Sequence, residues 1–180
     1  MKTLIVIDMQ NDFIDGALGT PEAVAIVPRV VKKVKEYKER GDEVIFTRDT
    51  HSRDYLQTQE GQKLPVEHCI KYTQGWEICD ELLDYTYEML HPTREFDVLN
   101  KYAFGYPYWH RWLNVDTDHE IEIVGLCSDI CVVSNALILK ATFPETKITV
   151  DASCCAGTTP ENHKAALQVM KCCQINVVGE

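Results

Sequence analysis

A chain of 180 residues has room for one substantial core, and its 45% apolar and 26% charged residues are ordinary for a soluble globular domain. A net charge of −10 with no basic cluster argues against nucleic acid and against an anionic membrane surface. No apolar run reaches the ~20 residues of a membrane helix, and the opening Met1-Lys2-Thr3-Leu4-Ile5-Val6-Ile7-Asp8 is too short and too quickly acidic for a signal peptide.

Strand-like apolar runs alternate with amphipathic stretches along the chain, which predicts an α/β fold with a parallel sheet. Thr3–Ile7 reads as a buried first strand. Residues 22–40 read as a helix with Val24, Val27, Val31 and Val34 on one face and Gly41 as its stop. Residues 43–47 form the second strand. From Asp49 to Trp76 the chain is polar and irregular, and loops of that length in a compact domain are usually functional. A short helix is expected over 77–83, a third strand over 97–100, and a helix over 107–113 opening on Pro107. Residues 120–124 make a fourth strand, 129–142 a helix, 147–151 a fifth strand, 160–173 a helix and 174–178 a sixth strand. The expectation is one domain spanning 1–180: a three-layer sandwich around a central, mostly parallel six-stranded sheet.

In such a sheet ligands bind beyond the carboxyl ends of the strands. The first predicted strand ends at Asp8, the second runs into Asp49, the third meets Lys101, and the fourth leads to Cys131. Cys131 follows Gly125-Leu126-Cys127-Ser128-Asp129-Ile130, where an apolar run ends in glycine and a Ser-Asp pair offers a helix N-cap. A thiol at a helix N-terminus is biased toward thiolate, although a free cysteine is as readily a buried apolar residue. Asp8 can take the thiol proton and return it to a leaving amine, and Lys101 can keep Asp8 ionised. Asp8 and Lys101 taken singly read as a turn aspartate and a solvated lysine; their shared sheet edge makes them a catalytic set.

A second constellation lies in the long loop. Asp49-Thr50-His51 offers an oxygen and a nitrogen ligand from one extended stretch, His68 can close a metal site, and Glu60 can join directly or through water. The alternative is a polar loop with solvated histidines. His91, His110, His119 and His163 have no such company and read as surface or turn residues. The eight cysteines include no Cys-x-x-Cys, and disulfides within the adjacent pairs Cys154-Cys155 and Cys172-Cys173 would be strained, so a reduced, cytoplasmic chain is expected.

Asp8-Met9-Gln10-Asn11-Asp12-Phe13, Lys101-Tyr102-Ala103-Phe104 and the segment from Gly125 to Val132 together resemble the isochorismatase-like cysteine hydrolases, and among them the nicotinamidases and pyrazinamidases. The resemblance spans nearly the whole chain. It implies Asp8 as acid/base, Lys101 as its partner, Cys131 as nucleophile, and a cis peptide before Cys127 that aims the N–H groups of Cys127 and Cys131 into an oxyanion hole. It further implies a divalent ion (zinc, or iron or manganese) on Asp49, His51, Glu60 and His68, which would bind the pyridine nitrogen of nicotinamide. Phe13 and Leu18 would wall the ring, with Tyr106 or Trp76 as additions. The expected reaction is hydrolysis of nicotinamide to nicotinate and ammonia through a thioester, in a homo-oligomer of the kind this family often forms. Departures fall in the loop: Leu64 stands where a bulky aromatic is typical, Val66-Glu67 lengthens the gap before His68 by one residue, and Tyr72 replaces a glycine. A metal-free hydrolase of another small amide or carbamoyl compound is the alternative, and a noncatalytic α/β binding domain the second.

Overall fold

The computed structural model describes residues 2–86, 98–116 and 118–180. Six strands form one sheet: β1 (Lys2–Ile7), β2 (Glu43–Asp49), β3 (Val98–Lys101), β4 (Glu120–Leu126), β5 (Lys147–Ala156) and β6 (Asn176–Val178). Their order is β3-β2-β1-β4-β5-β6 and every pairing is parallel. The chain winds outward through β2 and β3, then returns to the far side of β1 for β4. That reversal between β1 and β4 opens a crevice at the carboxyl edge, where parallel sheets bind ligands.

Successive residues of β1 serve opposite layers, as the period of two in a strand requires. Leu4 and Val6 join the core under the helix α2 (Pro21–Glu39), while Ile5 and Ile7 join the core under α5 (Val133–Thr142) and α6 (Pro160–Cys172). Both faces being covered is why the strand reads as a continuous apolar run. The Thr20 side chain accepts a hydrogen bond from Ala23 N at 3.0 Å to start α2, and Gly41 ends it with a φ of 73°. The buried stripe of α2 is Ala23, Ile26, Val27, Val30, Val34 and Tyr37. Val24, expected on that face, is exposed, and Val31 lies at its margin. The helix starts one residue before the predicted boundary, and the wider stripe of Ala and Ile decides the face. Pro28 sits on the solvent side, where the lost backbone bond costs least.

Three expected elements move. Residues 77–79 are not helical, because Glu77 O accepts from Asn11 N (3.1 Å) and Cys79 N donates to Met9 O (3.0 Å); α4 therefore begins later, at Asp80, and runs to Thr86. These bonds tie the loop to the short helix α1 (Asn11–Ile14) that follows β1. The segment 107–113 forms only a single turn at Trp109–Arg111: Trp109 is fully buried and its Nε1 donates to Asn135 Oδ1 at 3.2 Å, an anchor that a longer helix would displace. The strand expected over 97–100 is β3, with Asp97 and also His91 outside the described residues. The long loop contains its own helix, α3 (Gln59–Lys63). All eight cysteines are free, and among the described residues no helix is long and apolar enough to cross a membrane.

Gly125 is demanded by the close approach of β1 and β4. It has a φ of 117°, and a Cβ there would lie 2.0 Å from the Ile7 carbonyl oxygen.

Candidate active site

Register brings the expected catalytic residues together. Asp49 lies directly opposite Lys101 across the β2–β3 pair, and Ile7, one residue before Asp8, lies opposite Gly125 across β1–β4. Lys101 Nζ is 2.7 Å from Asp8 Oδ2, donates to Asp49 Oδ1 at 3.1 Å and reaches Cys131 Sγ at 3.4 Å. All four side chains are buried. Asp8 itself adopts a φ of 48°, an uncommon conformation for a non-glycine residue and of the kind that collects at functional sites. Thr47 holds it from below: its hydroxyl donates to Asp8 Oδ1 at 2.6 Å and accepts from Asp8 N at 3.2 Å.

Burial and charge set the protonation of this group. Burial pushes the Asp8 carboxyl above its ordinary value; Lys101 opposes the shift and Asp49 adds to it. For Lys101, burial disfavours the ammonium, but Asp8, Cys131 and Asp49 outweigh it and hold the group well above its usual value. Burial likewise drives the Cys131 thiol well above the ordinary thiol range, against the pull of Lys101 and with the push of Asp8 and Asp49. Burial thus works against the thiolate that a helix N-terminus would favour at Cys131.

Cys131 does not open a capped α-helix; it lies in a wide turn, Ser128–Val132, in which Val132 N donates to Cys127 O at 3.0 Å. The Leu126–Cys127 peptide is cis. Neither Ser128 nor Asp129 caps the helix. Ser128 is fully buried and its hydroxyl pairs with His163 Nδ1 of α6 at 2.8 Å, while Asp129 Oδ1 accepts from Thr158 N at 2.9 Å. The two side chains pin the nucleophile turn to the segment entering α6. His163 is therefore not a surface residue, and His119 is buried with Nε2 2.8 Å from Thr3 Oγ1.

Asp49, His51, Glu60 and His68 offer ligand atoms that all lie within 4.8 Å of one another. His51 Nε2 is 3.0 Å from Asp49 Oδ2 and 3.6 Å from Glu60 Oε1; His68 Nε2 is 3.9 and 4.0 Å from the same two atoms. A tetrahedral ion with bonds near 2.1 Å separates its ligands by roughly 3.4 Å, so two imidazoles and two carboxylates at these spacings fit a divalent cation. His68 Nδ1 lies 2.8 Å from the Val66 carbonyl, which leaves Nε2 as the ligating atom. The rings of His51 and His68 pack around buried Tyr55, with centroids 4.6 and 5.0 Å away, and Phe13 covers His68 at 5.5 Å.

Two residues that hold this group were not singled out individually from the sequence. Gln10 is fully buried; its Nε2 donates to the carbonyls of Asp49 (2.9 Å) and Trp76 (2.8 Å), and its Oε1 accepts from Asp49 N (2.7 Å). Asp12 Oδ2 accepts from Cys69 N at 2.7 Å, next to His68. The signal was a pair of polar residues placed directly after an apolar strand. Gln10→Ala strands three buried backbone groups, and urea unfolding is expected to show a loss of about 2–4 kcal/mol; an unchanged midpoint would mean that the loop finds other partners. Tyr72 occupies a left-handed conformation with a φ of 71°, the kind of position glycine fills at least cost.

A cavity of about 680 Å³ lies over Cys131, walled by Phe13, Leu18, Ile130 and Phe104 and reaching Asp49, Glu60 and His68. Tyr106 does not line it: its ring packs on Trp109 at 5.4 Å and its N–H donates to Asn135 Oδ1. Trp76 does not line it either; its Nε1 donates to Thr50 Oγ1 and Arg48 stacks on its ring at 3.6 Å.

This is the fold of a hydrolase built on a parallel α/β sheet, and residues 2–179 match the isochorismatase domain. The chain belongs to the isochorismatase family, as a nicotinamidase-like member. It is 30% identical over 171 residues to an uncharacterized isochorismatase family protein of Bacillus subtilis, covering 92% of each chain. It is 24% identical over 222 residues to the nicotinamidase of Saccharomyces cerevisiae, covering 100% of both. The pyrazinamidase of Pyrococcus horikoshii, solved in complex with zinc, superposes with a TM-score of 0.78 at 26% identity over 99% of each chain.

Proposed function

We propose that the protein is a cysteine-dependent nicotinamidase, hydrolysing nicotinamide to nicotinate and ammonia. The observation that carries the reading is the convergence of a thiol, a carboxylate and an ammonium within 3.4 Å contacts, beside a four-donor metal group, with Cys131 lining one cavity.

Cys131 Sγ attacks the carboxamide carbon while its proton passes to Asp8, whose raised pKa suits a base that must later act as an acid. The C–N bond breaks as Asp8 returns that proton to the departing nitrogen, giving ammonia and a thioester. Water then adds to the thioester, losing its proton to Asp8; the C–S bond breaks, nicotinate leaves, and the thiol recovers the proton. The backbone N–H groups of Cys127 and Cys131 stabilise the oxyanion in both halves. Lys101 holds Asp8 in place and balances its charge throughout. A divalent ion on Asp49, His51, Glu60 and His68 would supply a Lewis-acidic anchor for the ring nitrogen. Phe13, Leu18 and Phe104 flank the ring and exclude water from the reacting carbon.

Ammonia release from nicotinamide, assayed before and after exhaustive treatment with a chelator, tests this directly. Activity is expected to fall at least tenfold on chelation and to return with added zinc, iron or manganese, with close to one metal per chain by elemental analysis. A metal-free protein that ignores nicotinamide at high enzyme concentration sinks the reading and favours the hydrolase of a different small amide.

A further inference from the structure

The cavity is larger than a single-ring amide requires. At about 680 Å³ it falls within the ~300–1,000 Å³ range that encloses drug-sized ligands. Part of its wall is α3. Glu60 of that helix belongs to the metal group, and Gln59 and Lys63, four residues apart and therefore on one ridge, line the wall beyond it.

Charge along this wall is uneven. Asp49 and Glu60 are committed to the metal donor set, and the remaining lining is apolar or neutral apart from Lys63 and His68. Among the described residues Lys63 is the only lysine or arginine lining the cavity; it is exposed and has no ion-pair partner there, in a chain whose net charge is −10. An ammonium at the solvent-exposed edge of the cavity, with no carboxylate holding it elsewhere, is free to meet an anionic group on the ligand. Lysine acts there as a mobile point charge on a long stem, able to follow the substituent.

We infer that the site accepts pyridine carboxamides carrying a second, anionic substituent on the ring edge that faces α3, with Lys63 as the specificity-determining residue. This rests on the amidase reading above and extends it from the reacting carbon to the far side of the ring. Gln59, on the same ridge, is placed to donate a further hydrogen bond to that substituent.

The test compares kcat/KM for 5-carboxynicotinamide and 5-methylnicotinamide, with the 6-carboxy and 6-methyl pair as a second geometry and nicotinamide as the reference substrate. In the wild type one carboxylated compound is expected to be turned over at least as well as its methyl counterpart. The carboxy-to-methyl ratio should fall about tenfold or more in Lys63→Ala, chiefly through KM, as loss of a charge-assisted hydrogen bond predicts. Lys63→Arg should keep the preference and Lys63→Glu should invert it. A ratio that stays the same in all three variants, or a wild type that rejects both carboxylated compounds while hydrolysing nicotinamide, overturns the inference and leaves the nicotinamidase reading standing. If no pyridine carboxamide releases ammonia, nicotinamide included, both fall together.

Discussion

Cys131→Ala is expected to leave a folded protein whose ammonia release from nicotinamide is at least about 10⁴-fold below wild type, equivalent to about 5.4 kcal/mol of lost transition-state stabilisation. No other group in the cavity can replace the thiol. The neighbouring Cys127 thiol is pushed up to about 12, first by burial, and it lacks the Lys101 contact. The substitution itself is small: the side chain is 4% exposed, and exchanging one sulfur for a methyl-sized void costs only about 1–2 kcal/mol. Far-UV circular dichroism and a thermal midpoint close to wild type separate loss of chemistry from loss of fold. Residual activity above one part in a hundred would mean that the nucleophile lies elsewhere.

Asp8→Asn is expected to cost about 10³- to 10⁴-fold in kcat, because one group serves as base and acid in both half-reactions. An amide cannot take the thiol proton, and burial, which pushes the Cys131 thiol up, then works against its ionisation. This variant also carries a structural cost that Cys131→Ala does not. Lys101 loses one of two buried carboxylates, and breaking a buried pair typically destabilises by several kcal/mol. The informative measurement is therefore kcat at a temperature where denaturation curves show the variant to be fully folded. A folded Asp8→Asn protein with activity within tenfold of wild type would remove Asp8 from the mechanism.

What the sequence made legible was whatever short-range chemistry encodes. Buried strands covered on both faces announce themselves as Leu4-Ile5-Val6-Ile7, and their ends name Asp8, Asp49, Lys101 and, through the turn after β4, Cys131. The four-residue group that could hold a metal was legible in part because Asp49-Thr50-His51 is a local pattern. What stayed hidden depends on distant partners. Residues 77–79 have helical character but are captured by Met9 and Asn11, far away in sequence. Trp109 abandons a helix for Asn135, and Ser128 abandons the cap for His163. The expected Ser-Asp cap is also missing, because its side chains go to other partners, and burial pushes the Cys131 thiol up against the pull of Lys101. Tyr106, offered at the ring only through the resemblance, is instead claimed by aromatic packing on Trp109.

The position of β1 carries a consequence for how the molecule comes into being. It is the earliest strand in the chain and also the middle of the sheet, paired on one side with β2 and on the other with β4, where Lys2 meets Glu120. During synthesis the β1–β2 pair can form early, but its second edge must wait for more than half of the chain to emerge from the ribosome. A strand waiting with an apolar, unpaired edge is a site of mis-association, and closing so distant a pairing is slow. Asp8 and Cys131 are joined across that same late seam, so catalytic competence should be among the last properties the nascent chain acquires.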